Sequence, residues 1–100
     1  MEMNELQRHA VEVRAARGFT TDSVQVLTLL IEELGEVARE LKRTWSPNYE
    51  AFSAHRLADE LADVQVLLFA LAAEYDVDLG ASCLAKMEKD GRREWRSARP

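Results

Sequence analysis

The chain has very few of the residues that build disulfide-rich, zinc-binding or loop-rich proteins. It contains one Cys, two His, two Pro and four Gly in 100 residues. A single Cys83 cannot form an internal disulfide, and its place in an apolar run predicts a buried thiol in a reducing cytosol. Neither His9 nor His55 belongs to a Glu-x-x-His pair, the motif of carboxylate-bridged di-iron bundles. The sequence therefore excludes a disulfide scaffold and gives no support for a di-iron site.

Long apolar runs and an excess of basic charge are also missing. The longest apolar run, residues 64–73, contains Gln65 and is too short to span a bilayer. The net charge of −5 argues against a sequence-independent nucleic-acid binder, which needs a basic face to neutralise phosphates. Charged residues interrupt the first turns, so no signal peptide is expected. We therefore expect a cytoplasmic protein with no membrane partner and no nucleic-acid partner.

Helical periodicity and the absence of any strand pattern predict an all-α fold in a single domain, residues 1–100. Residues 1–20 form an N-terminal helix and its connection, because Gly18 ends the periodic pattern. A loop at residues 44–49 contains Pro47, which disfavours helix at the preceding residue. Four helices are predicted. The first spans residues 3–16, the second runs from a cap at residues 21–23 to residue 43, and the third and fourth span residues 50–75 and 78–93. A basic tail, residues 94–100, follows.

Apolar residues in the second and third predicted helices indicate where the core lies. One stripe on the second helix is predicted as its core face: Leu27, Leu30, Leu34, Val37 and Leu41. The segment 67–73 of the third helix is apolar almost all round, which indicates burial on several sides. A chain of this size covers only part of such a helix. We therefore expect a homodimer or a tetramer, with this segment in the interface.

Carboxylates lie at the edge of both apolar faces. Glu33 and Glu36 flank the stripe of the second helix, while Glu60 falls inside the leucine-rich face of the third and Asp63 lies at its edge. A glutamate within an apolar face must be paired or metal-bound, because burying an unpaired charge costs several kcal/mol, on the order of a domain's whole stability. A site made only of carboxylates suits Mg²⁺ or Mn²⁺ rather than zinc. The sequence therefore predicts a metal site at these four acids.

The acids also form a known pattern. Glu32, Glu33 and Glu36 form an EExxE motif, and the ExxD motif of Glu60 and Asp63 follows 24 positions later. This pair of motifs resembles the signature of the MazG-like all-α nucleoside triphosphate pyrophosphohydrolases, and the resemblance spans residues 27–93. It implies a four-helix bundle completed by oligomerisation. It also implies Mg²⁺-dependent hydrolysis of a (d)NTP between the α- and β-phosphates, giving a nucleoside monophosphate and pyrophosphate for house-cleaning or pool control.

The resemblance also implies individual roles. All five acids would be catalytic, with Glu32 at a second ion or acting as general base. Three cations of the last helix echo the family's basic pattern and would bind phosphate: Lys86, Lys89 and Arg93. Asp90 stands where that pattern often has Asn, which puts a contact from this position in doubt. Trp45, after the second helix, is either a base contact or a core residue.

Other interpretations remain open at this point. The four acids would be ordinary surface residues if they paired with Arg39, Lys42 or Arg56, and the cations of the last helix would then be a solvated helix end. A phosphoribosyl-ATP pyrophosphohydrolase has the same fold and acidic motifs. A non-enzymatic helical adaptor that dimerises would need the acids only for solubility.

Overall fold

The computed structural model describes residues 1–92, which form four helices and no strand. These are α1 (Met3–Ala16), α2 (Ser23–Lys42), α3 (Ala54–Glu74) and α4 (Leu79–Gly91). The predicted all-α class is confirmed for this part of the chain. Arg93 and the predicted basic tail lie outside the described residues. Within residues 1–92 no helix combines the length and the hydropathy needed to cross a membrane.

Side-chain caps set the starts of three helices. Asp22 accepts a hydrogen bond from the backbone N–H of Gln25 at 2.9 Å, within the predicted cap region of α2. Ser53 caps α3 by accepting from the N–H of Arg56, so α3 begins four residues later than predicted. Asp78 caps α4 in the same way. The prediction from residue 50 was wrong because it overlooked this serine cap.

The centre of the fold is the pairing of α2 with α3. Val26 and Leu30 of α2 form a buried cluster with Leu67 of α3. At the other end of the pair, Glu40 of α2 contacts Arg56 at the start of α3, so the two helices are antiparallel. α1 also packs against α3, and α4 packs against α1.

The face of α2 that packs on α3 differs from the predicted stripe. Leu30 is buried and Val37 half-buried, as predicted, but Leu27, Leu34 and Leu41 are 45%, 50% and 46% exposed. The residues that face α3 include two charged ones: Val26, Leu30, Glu33, Val37 and Glu40. α2 carries apolar residues on two adjacent faces, and helical periodicity alone did not identify the one that meets α3.

One further burial prediction was wrong, and a second was confirmed. Cys83 is exposed, because α4 packs only along one side on α1 and none of its described residues is buried. The 67–73 segment of α3 is largely covered by the chain's own helices, with Leu67 and Phe69 buried and the remaining residues half-buried. The predicted burial of this segment is confirmed, and its place in an oligomer interface stays a prediction. A separate apolar surface with exposed Leu27, Ile31 and Leu34 lies on α2.

Gln7 joins α1 to the connection between α3 and α4. Its buried amide donates from Nε2 to the carbonyl oxygen of Val77 at 2.8 Å and accepts at Oε1 from the N–H of Leu79 at 3.0 Å. Next to this contact, a Cβ at Gly80 would lie 2.7 Å from Cγ of Met3. The close approach of α1 and α4 therefore depends on glycine at this position.

Candidate active site

Three carboxylates from two helices meet where α2 packs against α3. α2 provides Glu33, and α3 provides Glu60 and Asp63. One carboxylate oxygen from each lies within 4.8 Å of the other two. Glu33 and Glu60 are half-buried, and Asp63 is exposed. The antiparallel pairing of the helices thus brings together acids that are some 30 residues apart in sequence.

Negative charge is crowded at this point. The pKa of Glu60 is raised from its usual 4.5 to about 7, first because burial removes water from the carboxylate and second because it shares a hydrogen bond with Glu33. The negative charges of Glu33, Asp63 and Glu36 raise this pKa further. Near pH 7 and without a cation, Glu60 is therefore protonated in about half of the molecules, whereas an ordinary glutamate is almost fully ionised.

The remaining two predicted acids are placed less centrally. The charge of Glu36 acts on Glu60, but its own Oε2 lies 3.8 Å from Nη1 of Arg39, and both side chains are about half exposed. Glu32 is exposed and is not among the three acids that converge. The structure thus brings Glu33, Glu60 and Asp63 together, with Glu36 beside them and Glu32 further out.

Surface ion pairs do not explain the three converging acids. Within residues 1–92, no arginine, lysine or histidine lies within ion-pair distance of Glu33, Glu60 or Asp63. Arg56 contacts Glu40 instead, and Lys42 donates to the hydroxyl of Tyr49 at 3.2 Å. A set of oxygen ligands with excess negative charge fits a hard divalent cation such as Mg²⁺ or Mn²⁺.

A groove of about 780 Å³ lies beside these acids, between α1, α2 and α3. Glu33 and Asp63 line one part of it, and much of the remaining lining is apolar: Leu6, Ala10, Val13, Phe19, Leu29, Val66 and Leu67. Arg14 also lines the groove. Its guanidinium lies 5.4 Å from the ring centroid of Phe19 and donates to the carbonyl oxygen of Thr20 at 2.9 Å. Glu33, Glu60 and Asp63, which we call the acidic cluster, therefore adjoin an apolar groove of a size suited to a small organic molecule.

The model of the MazG nucleotide pyrophosphohydrolase domain matches residues 21–96. The chain belongs to the MazG family. No curated protein sequence matches it. The family match supports nucleotide pyrophosphohydrolase activity in general, which is hydrolysis of an acid anhydride, and this family is generally metal-dependent.

Two of the three predicted phosphate-binding residues of the MazG domain, Lys86 and Lys89, lie on α4. Lys86 and Lys89 are exposed, and Nζ of Lys86 lies 3.0 Å from Oδ1 of Asp90, the pairing expected from their spacing. Arg93 lies outside the described residues. Within residues 1–92, neither lysine forms an ion pair with Glu33, Glu60 or Asp63. Phosphate binding by these residues stays a prediction.

Trp45 follows α2 in a turn and is 72% exposed. The Nζ of Lys42 lies 6.0 Å from its ring centroid. The interpretation of Trp45 as a core residue is therefore wrong for the described chain. Its ring remains accessible for stacking, so a base contact stays a prediction.

Sequence reasoning missed the most buried charged side chain of the MazG domain. Glu40 is 7% exposed, and its Oε2 accepts a hydrogen bond from Nε of Arg43 at 2.8 Å. Nε of Arg56 lies 3.5 Å from the same oxygen. We refer to these three residues as the ionic cluster. The spacing of Glu40 and Arg43 was visible in the sequence, but it is equally common in exposed helices.

Proposed function

We propose that this domain is a Mg²⁺-dependent hydrolase that cleaves a canonical or modified (d)NTP between the α- and β-phosphates, giving a nucleoside monophosphate and pyrophosphate. The observation that carries the proposal is the convergence of Glu33, Glu60 and Asp63 without a protein cation. Together with Glu36 these residues would hold Mg²⁺, and Mn²⁺ could substitute. The bound metal would supply Lewis acidity towards phosphate oxygens and lower the pKa of a water molecule.

Two glutamates, Glu60 and Glu32, would release or accept protons in this reaction. With a pKa of about 7, Glu60 is partly protonated at neutral pH in the metal-free state, and it would release this proton when a cation binds, because a ligand must be deprotonated. Glu32 is exposed beside Glu33 and has no ion pair within residues 1–92. It can accept a proton from the attacking water at a carboxylate oxygen, as a general base.

The groove beside the acids would hold the nucleoside. A triphosphate that contacts Glu33 and Asp63 through metal would leave its nucleoside near the apolar side chains of α1, such as Leu6 and Val13. This arrangement would keep the scissile anhydride at the acids and the specificity contacts on α1.

A screen for pyrophosphate release tests the proposed function. It would include the common and damaged nucleotides and phosphoribosyl-ATP, each with Mg²⁺ and with Mn²⁺. We expect release of pyrophosphate and a monophosphate from at least one nucleoside triphosphate. Phosphate release without pyrophosphate would place the cleavage at a different bond. No hydrolysis of any substrate by the folded protein would favour the adaptor interpretation.

We expect Lys86→Ala to raise the KM for a triphosphate more than the KM for the matching diphosphate. The reason is that Lys86, with Lys89 and Arg93, would contact the outer phosphates, whereas the acids bind metal. Steady-state kinetics on both substrates measures this effect, and Mn²⁺ affinity serves as the control that should not change. Asp90→Asn should lower the KM for triphosphate, since it removes the carboxylate 3.0 Å from Nζ of Lys86. Equal losses for both substrates would contradict the role.

We further propose that the chain associates with itself through α2. The outer face of α2 exposes an apolar stripe over almost its whole length: Val24, Leu27, Ile31, Leu34 and Leu41. A continuous stripe at helical spacing is typical of a helix that packs on a second helix. A symmetric dimer would cover this surface with the same surface of a second copy.

Light scattering at micromolar concentration should therefore show a dimer or a tetramer. Ile31→Lys, which places a charge in the middle of the stripe on a residue 61% exposed, should shift the protein towards monomer. Thr28→Lys, at an exposed neighbouring position outside the stripe, is the matched control. A wild-type monomer of 11.4 kDa would refute self-association.

A further inference from the structure

The ionic cluster lies one to two helical turns from the three converging acids, yet the proposed chemistry does not use it. Its carboxylate, Glu40, contacts Arg43 on its own helix and Arg56 on α3. Arg56 also donates through Nη2 to the carbonyl oxygen of Ala51, in the connection between the two helices. One buried carboxylate therefore links α2 to the first turn of α3 and to the loop that joins them.

The contact between Glu40 and Arg56 lies the same number of residues from an acid of the proposed metal site on each helix. Glu33 precedes Glu40 by seven residues on α2, and Asp63 follows Arg56 by seven residues on α3. Residues seven apart lie on the same face of a helix, two turns from each other. Because the helices are antiparallel, contact between Glu40 and Arg56 places Glu33 opposite Asp63. The observed convergence of these two acids with Glu60 agrees with this register.

Apolar packing alone would not fix this arrangement. A rotation of α2 by about 100°, one residue around the helix, would bury Leu27 in place of Val26. Both faces are apolar, so the hydrophobic contribution would change little. The same rotation would turn Glu33 away from α3 and separate Glu40 from Arg56. Nε of Arg56, which is buried and forms no hydrogen bond within the described residues, would then lose its nearest anion.

We propose that Glu40 and Arg56 are positioning residues that fix the rotation and register of α2 on α3, and thereby hold Glu33 against Glu60 and Asp63. A buried ion pair adds little net stability over apolar side chains of similar volume, because desolvation offsets much of the attraction. Its effect here is to disfavour the alternative packing of α2. This inference rests on the metal site proposed above.

Arg56→Gln and Arg43→Gln together form the test, since each leaves Glu40 with one arginine. Arg56→Gln removes the link between helices and should raise the Kd for Mn²⁺ about tenfold, the effect typical of residues that support metal ligands. It should also weaken the methyl NOE between Leu30 and Leu67. Arg43→Gln removes only a partner on the same helix. It should lower the melting temperature and leave both the Kd and the NOE unchanged.

Two further variants complete the experiment. Arg56→Lys keeps the charge and should recover most of the Mn²⁺ affinity. Asp59→Asn removes a carboxylate that lies 4.0 Å from His55 in an exposed pair on the same helix, and it should change neither readout. Electron paramagnetic resonance of free Mn²⁺ measures the affinity without any substrate.

Several results would overturn the proposal. One is an equal effect of Arg43→Gln and Arg56→Gln on Mn²⁺ affinity, which would show only a loss of stability. A second is an Arg56→Gln protein whose Mn²⁺ affinity and NOE are both unchanged. A third is an Arg56→Gln protein that does not fold. Either result would make the pair only a stabilising contact. A wild-type protein that binds no Mn²⁺ would instead refute the proposed function, and the NOE would still test the positioning role.

Discussion

Glu60→Gln is expected to reduce turnover about a hundredfold or more while the protein stays folded. Glutamine has the size of glutamate and retains one oxygen, but it lacks the charge that a divalent cation requires. Loss of a supporting residue near a metal typically costs 10–100-fold, and loss of a charged ligand should cost at least as much. Pyrophosphate release at saturating Mg²⁺ measures the effect, and circular dichroism confirms the fold.

Glu74→Gln is the matched control for this change. It makes the same chemical substitution at the exposed end of the same helix and should keep wild-type turnover. Asp63→Asn should lose activity as Glu60→Gln does. If Glu60→Gln retained more than about a tenth of wild-type turnover, against the loss expected for a ligand, Glu60 would not be part of the metal site.

The second large effect concerns pH and metal together. Without metal, Glu60 should make the folded protein less stable as the pH rises from about 4.5 to about 7. In this range the unfolded chain releases the proton of Glu60 while the folded chain still holds it, so the free energy of unfolding falls. Above about 7 both states are deprotonated and the contribution becomes constant. Mn²⁺ at 100 times its Kd should then stabilise the protein by about 2.7 kcal/mol.

The comparison with Glu60→Gln isolates this effect from the other carboxylates. In the absence of metal, the melting temperature of the variant relative to wild type should increase from pH 5 to pH 8. Mn²⁺ should raise the melting temperature of wild type and have little effect on the variant. A constant difference across this pH range would contradict the raised pKa of Glu60. No shift with millimolar metal would favour the adaptor interpretation.

Much of the fold could be predicted because its boundaries depend on local chemistry. Gly18, with φ of 70°, ends the segment after α1 in a conformation that glycine adopts easily. Asp22 caps α2 through a contact three residues away. The rotation of α2 could not be predicted in this way. Val26 and Leu27 are both apolar, and which of them is buried depends on a contact between Glu40 and Arg56 across the helix pair.

The acidic cluster could be anticipated for a different reason. Glu60 stands within a leucine-rich face, where a charge is costly, so its position in the sequence was enough to indicate a partner. The groove gave no comparable signal. The α1 residues that line it, such as Leu6 and Val13, look like ordinary core residues in sequence. They line the groove because of the way α1 packs on α3, and this packing cannot be predicted from the sequence of α1 alone.

The side-chain amide of Gln7 links the position of α1 to the position of α4. One side-chain group binds both the carbonyl of Val77 and the N–H of Leu79, so α1 is fastened to the start of α4. An outward displacement of α1 would therefore either break these two hydrogen bonds or displace the start of α4 as well. If a base bound in the groove displaced α1 from α3, Lys86 would move as well, so binding of the base would be coupled to the helix that is proposed to contact the outer phosphates.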